Sequence, residues 1–203
     1  METEFEAKFY PVIKDKFRKK LLSLGARLIH PERLMRRAII ERRLHPQIKC
    51  NYIRVRDEGD VIRLSAKENA SAGGTVSDQK ETDVIVSDYE KTLDIVQQMG
   101  FPIDCYQESL RETWELNGAE ITIDTWPGLL SYSEIEAESE AQVKKLAKKL
   151  GFDWDKKIIT AAAELFADVY RLDMPIVLDK LQHITFKDNP FSGLSSHKIS
   201  NSQ

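Results

Sequence analysis

The sequence predicts an α+β protein, an antiparallel barrel or strongly curved sheet with helices packed on its outside. Three observations predict it. Most segments alternate apolar and polar residues with period two, which gives each strand two chemically different faces. Short turns join many of these segments directly, the clearest being Asn117-Gly118. Three or four stretches switch to the helical period and lie between strands.

Residues 3–10 alternate, with Phe5, Ala7 and Phe9 on one face and Glu4, Glu6 and Lys8 on the other. Pro11 ends this strand. A helix over 12–24 follows, with Phe17, Leu21, Leu22 and Leu24 on its apolar side and Gly25 as C-cap. Residues 26–41 predict two strands around His30-Pro31, the second carrying Arg36 and Arg37. His45-Pro46 marks a loop. Asn51–Asp57 and Val61–Lys67 form a hairpin about Glu58-Gly59-Asp60. A flexible loop over 68–74 leads to a strand region over 75–86. Asp88 is placed to cap a helix running to about Met99, which Gly100 stops. The Asn117-Gly118 hairpin joins strands over 105–116 and 119–126, and a strand over 132–138 follows. Helices are predicted over 139–150 and 157–170. One domain spans 1–187, and the Ser- and Asn-rich residues 188–203 are expected to be a flexible tail.

The chain has 203 residues, 41% of them hydrophobic, enough for one sizeable core. Thirty Lys and Arg against 33 Asp and Glu leave a net charge of −3, which argues against a nucleic-acid binder. No apolar run approaches the roughly 20 residues that span a bilayer. The acidic, alternating start does not read as a secretory signal. Cys50 and Cys105 are too few for a disulfide framework, so a cytoplasmic setting is expected. The four histidines show no ligand spacing. Trp114, Trp126 and Trp154 read as packing residues. Glu138 and Glu140 read as a solvated helix entry, and Lys144, Lys145, Lys148 and Lys149 as a solvated helix face.

The charges fall in a pattern. Glu4/Glu6/Lys8, Arg54/Arg56, Arg63/Lys67, Glu81/Asp83 and Glu134/Glu136 each occupy one strand face, opposite apolar residues. A sheet with one wet side accounts for this. So does a closed sheet whose charged face lines a bore, where acids would hold a divalent cation and bases an anion. A dry, unpaired bore of mixed charge would be prohibitively unfavourable.

Five segments resemble the CYTH superfamily, the triphosphate tunnel metalloenzymes. Glu4-Phe5-Glu6-Ala7-Lys8 is similar to its Glu-x-Glu-x-Lys signature. Tyr52-Ile53-Arg54-Val55-Arg56 and Ile62-Arg63-Leu64-Ser65-Ala66-Lys67 resemble its next two strands. Ile121-Thr122-Ile123-Asp124-Thr125-Trp126-Pro127 and Tyr132-Ser133-Glu134-Ile135-Glu136 resemble its closing strands, in the family's order. The resemblance implies a closed antiparallel barrel of eight strands around a hydrophilic tunnel. It implies Mg²⁺ or Mn²⁺ as cofactor and a triphosphate as partner: tripolyphosphate, ATP or thiamine triphosphate. No nucleic acid or membrane partner is implied, and the chain is expected to be a monomer or homodimer.

By that resemblance Glu4, Glu6, Asp124, Glu134 and Glu136 would ligate the metal, with Glu81 and Asp83 adding a second position. Carboxylates suit such hard cations. Arg54, Arg56, Arg111, Lys8 and Lys67 would grip phosphates, with Arg37 and Arg63 as further candidates. Guanidinium forks bind two phosphate oxygens at once. Lys8, Arg56 and Lys67 are the expected catalytic set. One departure stands out: many members carry Lys-x-Arg where this chain has Ser109-Leu110-Arg111. One cation is missing there, with three readings: weaker triphosphate binding, a shifted substrate choice, or an offset by Arg37 or Arg63. The expected activity is triphosphate hydrolysis. A class IV adenylyl cyclase, making cyclic AMP and pyrophosphate from ATP, is the alternative. A noncatalytic nucleotide- or polyphosphate-binding module is the third reading.

Overall fold

The computed structural model describes residues 1–68, 74–103 and 105–197. Most of the loop predicted over 68–74 and the end of the predicted tail lie outside these residues. The strands are β1 (Glu2–Phe9), β2 (Arg27–Glu41), β3 (Tyr52–Asp57), β4 (Ile62–Glu68), β5 (Gln79–Val86), β6 (Cys105–Leu116), β7 (Ala119–Thr125), β8 (Tyr132–Ala137) and β9 (His183–Ile184). The helices are α1 (Lys14–Ser23), α2 (Tyr89–Gln98), α3 (Glu140–Leu150), α4 (Ala162–Tyr170) and α5 (Met174–Lys180).

Eight strands close in the order β2-β3-β4-β5-β1-β8-β7-β6, and β6 returns to β2. All eight pairings are antiparallel, so the barrel has no continuous free edge. The short β9 adds in parallel to the outer end of β6, with Tyr106 opposite His183. The β6–β7 turn places Asn117 at φ 54° and Gly118 at φ 78°. Both lie in the left-handed region that a two-residue hairpin needs.

Closure sorts the alternating side chains. Ala7, Phe9, Ile121, Ile123 and Ile135 point outward and are covered by Phe17 and Leu21 of α1 and Val143, Leu146 and Leu150 of α3. A second cluster caps one end of the barrel, where Trp126 and Tyr132 meet Leu165 and Phe166 of α4 and Val177 of α5. Val96 of α2 joins Ile40, Ile48 and Cys50 in a third. Burying each such side chain stabilises the fold by about 1.5–3 kcal/mol. With the apolar faces taken by helices, the charged faces turn inward.

Some elements differ from the sequence expectation. Residues 27–41 form one strand, and Pro31 is absorbed by register shifts on either side of His30. A bulge tolerates the missing N–H that would interrupt a regular ladder. The helix predicted over 157–170 begins only at Ala162. Ile158 instead exchanges two backbone hydrogen bonds with Lys8, at 2.8 and 2.9 Å. β5 pairs with β1 only as far as Glu4, so the edge of β1 beyond it is open to Ile158. α5 was not foreseen; its Pro175 lies in the first turn, where no N–H is required. Within the predicted tail, Phe191 is 2% exposed and packs on Phe166 and Tyr170, at 4.5 and 4.9 Å between centroids. Among the described residues no helix is long and apolar enough to cross a membrane.

Candidate active site

The barrel encloses a cavity of about 920 Å³. It is lined by thirteen of the fourteen predicted site residues: Glu4, Glu6, Lys8, Arg37, Arg54, Arg56, Arg63, Lys67, Glu81, Asp83, Arg111, Glu134 and Glu136. Asp124 is the predicted residue that does not line it. Its carboxylate is 1% exposed, held by Arg111 Nε and Nη2 at 2.8 and 2.9 Å and by the Thr122 hydroxyl at 2.6 Å. In this conformation Asp124 orients Arg111.

One side of the wall is acidic. Glu6 on β1, Glu136 on β8 and Glu120 on β7 stand in register across three neighbouring strands. Burial, then the charges of Glu6 and Glu120, push the Glu136 carboxyl up to about 7. Glu4 rises to about 8 through burial and its hydrogen bond and repulsion with Glu81, against the pull of Lys67. Glu134 goes the other way. Burial opposes its charge, but Arg111, Lys8 and Lys67 hold it down to about 2.

The other side is basic. Arg37 on β2 lies directly opposite Arg56 on β3, and Arg54 is two residues further along. Burial first, then repulsion from Arg54, brings Arg37 down to about 10. Burial, Arg54 and Arg111 bring Arg56 down to about 9, although its Nε donates to Glu58 Oε1 at 2.8 Å. Arg37 is 8% exposed, and its Nε has no hydrogen-bond partner. Its guanidinium lies 4.5 Å from the Trp126 ring centroid. Its Nη2 donates to the hydroxyl of Ser109, the residue at the usual lysine position. Thus Arg37 occupies the space beside Ser109 and restores a cation there.

The lysines bridge the two sides. Lys8 pairs with Glu6 and lies 3.5 Å from Glu134. Lys67 lies 3.0 Å from Glu4 and 2.8 Å from Glu81, and Arg54 reaches Glu81 at 2.9 Å. Burial opposes the charge on both lysines, yet the neighbouring carboxylates raise them above the ordinary range. Arg63 and Asp83 are more exposed and pair with each other at 2.6 Å. Both line the cavity.

The carboxylates fit a hard divalent cation by chemistry, since all are oxygen donors. Glu4 and Glu136 are raised to about 8 and about 7, so a bound cation would displace protons from them near neutral pH. Among the described residues no three His, Cys, Asp or Glu side chains already converge as a metal cluster. Glu4, Glu6, Glu81, Asp124 and Glu134 lean instead on Lys8, Lys67, Arg54 or Arg111, so their ligation of a metal requires these pairs to part.

Sequence reasoning missed Glu58, Glu120, Arg33 and Glu164, all of which line the cavity. Glu120 shares the two-residue period of Thr122 and Asp124 and was legible. Arg33 was hidden by the bulge, and Glu164 reaches the cavity only through the tertiary placement of α4. Of the residues set aside, Trp126 and His30 line the cavity, and Trp114 and the thiols do not. Trp114 is buried with its indole N–H donating to Glu112 at 2.6 Å. Cys50 and Cys105 are buried free thiols. The four lysines of α3 are exposed.

A closed eight-stranded barrel with a charged bore defines a tunnel-type protein. The CYTH domain family model matches residues 2–162, and the chain belongs to that family. Similar solved structures include the PH1012 protein from Pyrococcus horikoshii OT3, at 19% identity and TM-score 0.65, covering 80% of this chain and 98% of that one. A conserved hypothetical protein from Pyrococcus furiosus aligns at 20% identity and TM-score 0.64, over 80% and 99%. A protein named as a candidate adenylate cyclase from Vibrio parahaemolyticus aligns at 10% identity and TM-score 0.66, over 82% and 98%. At these identities the likeness is one of fold. No curated protein matches the chain.

Proposed function

We propose that this protein is a divalent-cation-dependent enzyme that hydrolyses a triphosphate, inorganic or organic, inside its barrel. One observation carries the reading: both sides of the bore are under-neutralised. Arg37 and Arg56 stand opposite each other among further cations, and Glu6, Glu136 and Glu120 stand in register as three neighbouring acids. A polyanion relieves the first crowding and a cation the second. A triphosphate with Mg²⁺ or Mn²⁺ supplies both. Buried ion pairs of this kind contribute little net stability, so a folding role alone accounts poorly for them.

In this reading Arg37, Arg54, Arg56 and Arg111 hold phosphate oxygens through charge-assisted hydrogen bonds. Lys8 and Lys67 sit between acids and bases and neutralise charge that develops on the transferred group. Glu4, Glu6, Glu134 and Glu136 would hold the cation, which when bound supplies charge neutralisation and activation of water. Water attacks the terminal phosphorus as the bridging P–O bond breaks, releasing orthophosphate. The barrel fixes both partners before reaction, which is where much of the rate gain arises. The buried free thiols are in keeping with a reducing, cytoplasmic setting.

Product analysis tests this. With Mg²⁺ or Mn²⁺, tripolyphosphate should release orthophosphate. Cyclic AMP and pyrophosphate from ATP would establish cyclisation instead. Tight binding without turnover would make the barrel a binding module.

A further inference from the structure

The helical cap places a polar group in the cavity that the phosphate chemistry does not use. The Lys8–Ile158 bridge draws residues 157–161 across the end of β1 and starts α4 over the bore. Ala162, Ala163 and Glu164 of the first turn of α4 then line the cavity, as do Met174 and Leu178 of α5 and Leu181 just beyond it. Trp126 lines it from β7's end, 5% exposed. This end is therefore mainly apolar as far as Trp126, whose ring meets the Arg37 guanidinium of the arginine-rich wall at 4.5 Å.

Glu164 is its exception. Its Oε2 is buried and accepts no hydrogen bond. An unsatisfied buried acceptor costs about 1–3 kcal/mol and persists where something else uses it. A carboxylate at this position repels phosphate oxygens, so it does not extend the phosphate grip. It suits a hydrogen-bond donor, and the apolar surroundings suit a ring. Burial raises this carboxyl, against a hydrogen bond to its own backbone and the charge of Lys8, and a bound donor or cationic ring would favour its charged form.

Resting on the triphosphate reading, we propose that Glu164 is a specificity-determining residue. It accepts a hydrogen bond from an amino-bearing aromatic group attached to the triphosphate, seated between α4, α5 and Trp126. The protein thereby prefers such an organic triphosphate to tripolyphosphate. Sites built to hydrogen-bond a substrate donor discriminate strongly against analogues that lack it, because the acceptor is then left unpaired.

The test compares kcat/KM for tripolyphosphate, ATP and thiamine triphosphate in the wild type, Glu164→Gln and Glu164→Leu. Thermal shifts with each compound serve as a second readout. The wild type should prefer one of the two amino-bearing compounds. In Glu164→Leu the ratio of that activity to tripolyphosphate activity should fall about 10–100-fold, with a smaller fall in Glu164→Gln. Its ligand-induced thermal shift should fall in parallel, while the unliganded melting point holds or rises, since a buried unpaired acceptor is gone. Turnover of tripolyphosphate with an unchanged ratio in both variants overturns this inference alone. Failure of all three compounds to bind or react overturns the triphosphate reading and this inference with it.

Discussion

The acidic wall of β1, β8 and β7 and the basic wall of β2, β3 and β6 meet burial in opposite currencies of charge, yet with the same result. On the acidic side Glu4 and Glu136 move up to about 8 and about 7 and keep protons. On the basic side Arg37 and Arg56 fall to about 10 and about 9 but stay charged at neutral pH. Carboxyl groups can lower their electrostatic cost by taking a proton. Guanidinium groups cannot, so the basic wall stores its repulsion until an anion arrives. The acidic wall should therefore be the pH-sensitive half of the site and the basic wall the half that waits for phosphate.

The largest expected effect breaks the acidic wall. Glu4→Gln combined with Glu6→Gln should reduce cation-dependent turnover by at least about 10³-fold, or about 4 kcal/mol in the barrier. Circular dichroism should show an unchanged fold. Full cation-dependent turnover in that double variant would remove these residues from the site.

Breaking the basic wall should act differently. Arg56→Met should raise the KM for the preferred triphosphate about 10–100-fold. It should also leave the unliganded melting temperature unchanged or higher, because the relief of repulsion with Arg54 and Arg111 offsets the lost pair with Glu58, which Arg63 still reaches at 3.4 Å. Steady-state kinetics beside thermal unfolding separates these effects. A large loss of unliganded stability would mean that Arg56 supports the fold.

The pH response distinguishes the walls again. Glu4 and Glu136 have folded-state values above their ordinary 4.5, so the folded protein binds more protons than the unfolded chain between 4.5 and about 8. Stability without cation should thus decline as pH rises through that window, by roughly 1–3 kcal/mol. Bound Mg²⁺ holds the carboxylates ionised and should flatten the decline. Urea unfolding at several pH values, with and without Mg²⁺, checks the sign.

Glu120→Gln should have the smallest effect. It removes one of the charges that raise Glu136, so the pH midpoint of cation-dependent activity should move to lower pH by less than about one unit. A midpoint moving upward would contradict the proposed coupling of these two carboxyls.

The inward faces of β1, β3, β4 and β8 were legible because alternation encodes them within each strand. Alternation alone could not decide whether those faces looked onto water or a bore. Closure depends on β2 meeting β6, partners separated in sequence by the intervening hairpins and α2. The role of Arg37 was equally nonlocal. Its hydrogen bond to the Ser109 hydroxyl joins residues 72 apart. Arg33 and Glu164 reach the cavity through a bulge and a helix placement that local periodicity does not contain.

Calorimetric titration of tripolyphosphate into the protein with Mg²⁺ present tests most directly whether the two walls form one site. The account predicts one triphosphate per barrel, bound at micromolar concentration or tighter (about −8 kcal/mol), with affinity reduced at least tenfold in Arg56→Met and again when Mg²⁺ is chelated. Absence of saturable binding at millimolar concentration, or equal affinity in the variant and without the cation, would contradict it.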